Sequence, residues 1–200
     1  MGTPGNVDYH VHYHLDGCAA DEMTLIGIER EALRLGLDEV CIVKHYSREL
    51  PNGLDSWAHW KRIVPEQFDV FLADVAAHRA SSRLRMLRGV ETELVDESGE
   101  LNIAEDDARK LDALILSVHW LPRMSDVAVD PALIPDQVNE GPPDVVERWR
   151  GEVRKVGVSR LAAKLVSAYT RAVERAVRPL VLGHMGDGLA PLRHYGVAVG

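Results

Sequence analysis

Five short stretches of this 200-residue chain each end on a side chain able to bind a metal ion. They read Asp8-Tyr9-His10-Val11-His12, Val43-Lys44-His45, Gly89-Val90-Glu91, Ser117-Val118-His119 and Leu182-Gly183-His184. Imidazole and carboxylate donors suit Zn, Mn or Fe, and mixed sets often hold more than one ion. Such ions lower the pKa of bound water and neutralise a phosphoryl group during transfer. His10 and His12 add a geometric argument. On an extended strand, residues two apart point to the same face, so this pair could share one ion. Taken singly, a histidine after a strand is usually a hydrogen-bonded loop residue, and a glutamate there a solvated end. Five together point to a metal-dependent hydrolase.

The elements that must position these residues are apolar runs at 7–11, 39–43, 85–90, 113–118 and 180–182, with a sixth candidate at 196–199. Each is too short for a good helix and rich in Val, Ile and Leu, as strands buried on both faces are. Helical spacing fills the gaps. Residues 21–35 place Met23, Ile26, Ala32, Leu33 and Leu35 on an inward stripe, with Gly36 as C-cap. Residues 67–83 use Val70, Phe71, Val75 and Leu84 in the same way, and Asn102 is expected to cap a short helix running to Leu111. The longest helix is predicted over 144–177, started by Pro142 and Pro143. Residues 45–55 and 121–143 read as irregular. Strand and helix alternate, which predicts a single α/β domain with a parallel sheet, either barrel or doubly wound. In both, the active site lies at the C-terminal ends of the strands, where all five stretches end.

Composition bounds the alternatives. Hydrophobic residues make up 46% and charged residues 27%, as in ordinary globular proteins. A net charge of −8 gives no general attraction for a nucleic-acid backbone, so nucleic acid is an unexpected partner. Two cysteines are too few for a disulfide framework and fit a reducing compartment. No run spans a bilayer, and the N-terminus lacks a signal-peptide core; a cytoplasmic location is expected. Oligomeric state is not legible.

The ordered set of motifs resembles the PHP (polymerase and histidinol phosphatase) family. Asp8-Tyr9-His10-Val11-His12 is similar to its opening Asp-x-His-x-His, Gly89-Val90-Glu91 to its Gly-x-Glu, and Leu182-Gly183-His184 to its Leu-Gly-His. Ser117-Val118-His119-Trp120-Leu121 resembles a segment of the histidinol phosphatase branch. The resemblance implies a distorted (β/α)7 TIM-like barrel, either whole or incomplete at its C-terminus. It implies two or three divalent ions held by His10, His12, His45, Glu91, His119 and His184, with Glu91 bridging. It implies hydrolysis of a small phosphorylated substrate by metal-activated hydroxide.

Two departures stand out. The family's late Asp-x-His is absent before Gly200, so either the sequence is cut short or the site is a weakened or two-metal one. Lys44 stands where the family usually has Asp, and is expected to be solvated or to touch phosphate. Asp16 is the best candidate for a further ligand after His12. Glu91, His119 and Arg123 are the candidates for catalysis, Arg123 gripping phosphate through its planar fork; Arg48 is a similar candidate. Asp8 is expected to hold a ligand imidazole, His14 to sit on the rim, and Asp187 to orient the site or cap a turn. His59, His78 and His194 are expected to be structural, and Cys41 a buried, inert thiol.

The leading expectation is a phosphatase acting on a small phosphomonoester. A phosphodiesterase or exonuclease of the same family is the alternative, disfavoured by the acidic charge. An amidohydrolase is a third reading, from His12-Tyr13-His14-Leu15-Asp16-Gly17. A degenerate barrel kept as a metal-binding or regulatory module is a fourth.

Overall fold

The computed structural model describes residues 5–49, 65–117, 122–125, 151 and 154–183. These form β1 (Val7–His12), α1 (Leu25–Arg34), β2 (Glu39–His45), α2 (Pro65–Arg79), β3 (Arg85–Thr92), α3 (Glu105–Ala108), β4 (Ala113–Leu116), α4 (Val158–Arg175) and β5 (Leu180–Leu182). All four strand pairings are parallel, and the spatial order is β1-β2-β3-β4-β5. A doubly wound sheet reverses its strand order at a switch point. Here the order never reverses, and the sheet curls into a half-barrel. Among the described residues this is the barrel sense of winding. The sixth strand candidate, at 196–199, lies outside them. No described helix is long and apolar enough to cross a membrane.

Alternation along the strands makes two cores. The helix-facing set includes Val40, Ile42, Met86, Val90 and Leu114, packed on Ile28, Ala32, Phe71 and Val75 of α1 and α2. The inner set is Cys41, Val43, Leu87, Ala113 and Ile115, with Val181 against it. Each Val, Leu, Ile, Met or Phe side chain among them stabilises the fold by about 1.5–3 kcal/mol on burial. Gly89 is required by the inner set: a Cβ there would lie 2.5 Å from Cys41 Sγ and 3.0 Å from Ile115 Cδ1.

The helices depart from the sequence reading in informative ways. α1 starts at Leu25 rather than near Asp21, because Thr24 caps it through a 3.1 Å bond from the Gly27 N–H. Its buried face is Leu25, Ile28 and Ala32, so of the predicted stripe Ala32 is inward while Met23, Ile26, Leu33 and Leu35 are exposed. Val70 is likewise exposed, while Phe68, Phe71 and Val75 are buried. Gly36 ends α1 as expected, at φ 72°. Asn102 does not cap α3. Its amide donates to the Glu49 carbonyl (2.6 Å) and its Oδ1 accepts the Glu49 N–H (2.9 Å), tying down the chain after β2. The long C-terminal helix is interrupted at Gly157, whose φ of 85° breaks helical geometry.

Candidate metal centre

The inner face changes character at the C-terminal ends of the strands. Register sets His12 beside Val43, and His45 beside Glu91. Period-two alternation therefore puts His45 one layer above Val43, and Glu91 one layer above Gly89. The apolar inner core thus ends in a layer of ligating side chains. β1 carries a bulge between Asp8 and Val11, three steps of β1 matching two of β2. Bulges re-aim side chains, and here both His10 and His12 reach Glu91.

Three imidazoles converge on one carboxylate oxygen. Glu91 Oε2 lies 3.1 Å from His10 Nε2, 3.0 Å from His12 Nε2 and 2.9 Å from His45 Nε2. His10 Nε2 and His12 Nε2 are themselves 3.0 Å apart. His12 and His45 stack with ring centroids 4.6 Å apart and planes 11° from parallel. On the opposite side of both rings sits Asp16, fully buried. Its Oδ2 accepts from His12 Nδ1 (2.9 Å), His45 Nδ1 (2.9 Å) and the His45 backbone N–H (2.7 Å).

Electrostatics follow from this packing. Burial disfavours the charged form of His12, but its bonds to Asp16, Cys18 and Glu91 outweigh that and raise its pKa to about 11. The same balance raises His45 to about 10. Burial likewise disfavours ionised Glu91 and Asp16, yet the surrounding imidazoles hold both carboxyls far below the usual range. Metal-free, the cluster therefore keeps protons where a cation would sit. A divalent ion and these protons compete for the same nitrogens. Among the described residues, two donor groups have ligand atoms within 4.8 Å of one another: His10, His12 and Glu91, and His12, Asp16, Cys18 and His45. The donor set fits a divalent ion bound through imidazole and carboxylate.

Of the sequence-predicted site residues, the structure brings together His10, His12, Asp16, His45 and Glu91. His119 and His184 lie outside the described residues, as do His59, Asp187 and His194. Gly183, just before His184, is required to be small: a Cβ would lie 2.7 Å from Ile115 Cγ2 and 2.9 Å from Ser117 Oγ. Arg123 is exposed, with its guanidinium 3.7 Å from Glu49 Oε2, and among the described residues it makes no contact with the histidine cluster. Arg48 bonds Glu100 at 2.7 Å. Asp8 accepts the His10 backbone N–H at 3.0 Å, and among the described residues no imidazole bonds to its carboxylate. His14 is exposed, and His78 pairs with Glu29 at 2.7 Å, joining α2 to α1. Cys41 is buried, which pushes its thiol up to about 12, as an inert thiol requires.

Two residues carry more than the sequence reading gave them. Lys44 is neither solvated nor facing the site. It is buried, it points to the helix side by alternation with His45, and its Nζ donates to the Leu15 carbonyl at 2.8 Å. It fixes the loop that delivers Asp16. Cys18 was given no role by the sequence reading, yet its Sγ lies 3.9 Å from His45 Nδ1. Burial works against its thiolate, but hydrogen bonds from His12 and His45 prevail and lower its pKa. Its place six residues after His12, in a loop of potential ligands, was the available signal.

No family model matches the chain. It is 31% identical over 114 residues to a probable phosphatase of Caldanaerobacter subterraneus subsp. tengcongensis, covering 56% of this chain and 39% of that protein. It is 28% identical over 127 residues to one of Thermoanaerobacter sp. strain X514 (63% and 43%) and 32% identical over 124 residues to one of Vibrio atlanticus (61% and 44%). The chain spans less than half the length of the curated relatives it matches. A solved structure from Listeria monocytogenes, provisionally titled a histidinol phosphatase, superposes with a TM-score of 0.46 at 13% identity, over 89% of this chain and 94% of that one. That superposition is too loose to bear on fold or function, and the architecture rests on the strand order above. In sequence, the chain is similar to bacterial proteins named probable phosphatases.

Proposed function

We propose that this chain is a metal-dependent phosphoesterase that hydrolyses a small phosphomonoester. The observation that carries the proposal is the convergence of three imidazole nitrogens on Glu91 Oε2 at the C-terminal end of a parallel sheet. The names of the curated relatives support the reaction class. In this reading His10, His12, His45 and Glu91 hold one or more divalent ions, Zn, Mn or Fe, and His119 and His184 add to them.

A bound divalent ion supplies Lewis-acid charge and makes water a nucleophile at neutral pH. The chain's own residues do the rest. Glu91 concentrates negative charge where the cation must sit. His10, the most open of the three imidazoles, borders the side from which substrate enters. The apolar floor of Val43, Leu87 and Ile115 beneath the cluster excludes water from below, which strengthens charge interactions above it. Arg123 is the proposed contact to phosphate, giving up its exposed pairing with Glu49 for it. The net charge of −8 favours a small substrate over a polynucleotide.

The test is release of phosphate from an aryl phosphate by purified protein supplied with Mn or Zn. The expected result is turnover that chelator abolishes and that Glu91→Ala lacks. A metal-loaded protein that releases no phosphate from any phosphomonoester contradicts the proposal.

A further inference from the structure

We propose that Ser117 is a substrate-contacting residue of the centre, its buried hydroxyl donating a hydrogen bond to a phosphoryl oxygen of the bound monoester. This rests on the phosphoesterase reading above and deepens it. Ser117 follows β4 directly, and its backbone N–H donates to the Thr92 carbonyl at 3.0 Å, so the parallel ladder runs one residue past the strand. The residue is 1% exposed, yet among the described residues its Oγ has no hydrogen-bond partner. Burying a hydroxyl without a partner destabilises a fold. A ligand oxygen that reaches the hydroxyl removes that penalty.

The place of the hydroxyl decides what that ligand is. A Cβ added to Gly183 would lie 2.7 Å from Ile115 Cγ2, 2.9 Å from Ser117 Oγ and 3.4 Å from His10 Cε1. Ser117 therefore shares the inner face with Ile115 and stands beside the ring of His10. Ile115 is in register with Glu91, so Ser117 lies one layer farther toward the C-terminal ends of the strands, on the side where substrate enters. Gly183 is held there by its N–H to the Leu116 carbonyl (3.0 Å), and its lack of a side chain keeps the space before the hydroxyl open. A phosphoryl group bound at the centre presents acceptor oxygens, and a serine hydroxyl can donate to one of them. Two other buried hydroxyls, those of Tyr13 and Thr92, also have no partner among the described residues. Tyr13 packs in the helix-facing core, and Thr92, next along β3 from the inward Glu91, turns to that same outer side by alternation. Neither faces the centre.

The test is calorimetric titration of inorganic phosphate into the zinc-loaded chain, with thermal melts of the same samples. Ser117→Ala is expected to bind phosphate about 10–100-fold more weakly, the loss of one hydrogen bond to a charged group, and to raise KM for an aryl phosphate by a similar factor. Because the hydroxyl has no protein partner to lose, the variant should keep zinc at wild-type stoichiometry and melt no lower than wild type. Thr92→Val, which removes the buried hydroxyl of the outer face, should leave phosphate affinity unchanged. Where free phosphate binds too weakly to titrate, the ratio of KM values decides in the same way. Ser117→Ala with wild-type phosphate affinity, with lost zinc, with a lowered melting temperature or with no fold overturns the proposal and leaves the phosphoesterase reading standing. An equal loss of phosphate affinity in Thr92→Val overturns it as well. Zinc-loaded wild type that neither binds phosphate nor releases it from an ester overturns both this proposal and the reading beneath it.

Discussion

The inner and outer faces of β2 and β3 are equally closed to solvent, but they are built for different ends. Outward, Val40, Ile42, Met86 and Val90 pack against α1 and α2; of the two charges there, Lys44 is satisfied by a backbone carbonyl and Arg88 by Asp112. Inward, Cys41, Val43 and Leu87 give way within one layer to His45 and Glu91. Lys44 and His45 are chain neighbours, both buried, and they point opposite ways. Burial alone therefore does not mark a functional residue. What marks it is a set of buried polar groups whose partners are one another, rather than the backbone.

Substitutions that break the inner set should affect chemistry more than fold, and those on the outer face the reverse. The largest effect is expected from Glu91→Gln. It should bring phosphate release to background and strip bound metal, while circular dichroism stays native because the histidines can shed their protons. Ile42→Ala, on the outer face of the same sheet, should cost about 2–5 kcal/mol in denaturant unfolding and leave metal stoichiometry intact. Loss of metal in Ile42→Ala without loss of stability would erase the distinction between the faces.

pH separates the two regions by sign. His12 and His45 have folded pKa values raised to about 11 and about 10 from 6.5. Their contribution to the metal-free fold is complete below 6.5 and declines as pH rises toward those values. Metal must displace the same protons, so metal affinity should climb over that interval. Thermal melts with and without zinc are expected to diverge as pH rises; melts that stay parallel would mean that the histidines do not take the ion.

Smaller effects sharpen the boundary between the faces. Lys44→Met leaves the Leu15 carbonyl without its donor, and should cost about 1–3 kcal/mol together with weaker zinc binding through displacement of Asp16. Thr24→Ala, far from the cluster, should cost about 1 kcal/mol by removing the α1 cap and leave zinc binding unchanged. Equal zinc affinity in Lys44→Met and Thr24→Ala would deny Lys44 its role in holding the loop.

Much of this was legible in the residues. The Val, Ile and Leu runs mark the five strands found among the described residues, because short β-branched stretches between helical segments admit little else. Gly36 marks the end of α1. His12, His45 and Glu91 are visible as candidate ligands because each closes such a run, and His10 because it stands two residues before His12. The helix faces were less legible: Ile26 and Leu33 are as apolar as Leu25 and Ile28, and only contact with α2 and the sheet selects between them. Lys44 was misread because its partner is a carbonyl in a distant loop, which no side-chain pattern announces. Asp16 was found as a candidate ligand, but its position between two Nδ1 atoms depends on how the loop folds back over β2.

The most direct test of the central claim is equilibrium dialysis of zinc against the wild-type chain and Glu91→Gln. The account predicts stoichiometric zinc on the wild type and its loss in the variant, with both proteins folded. Equal zinc retention by the two would contradict it.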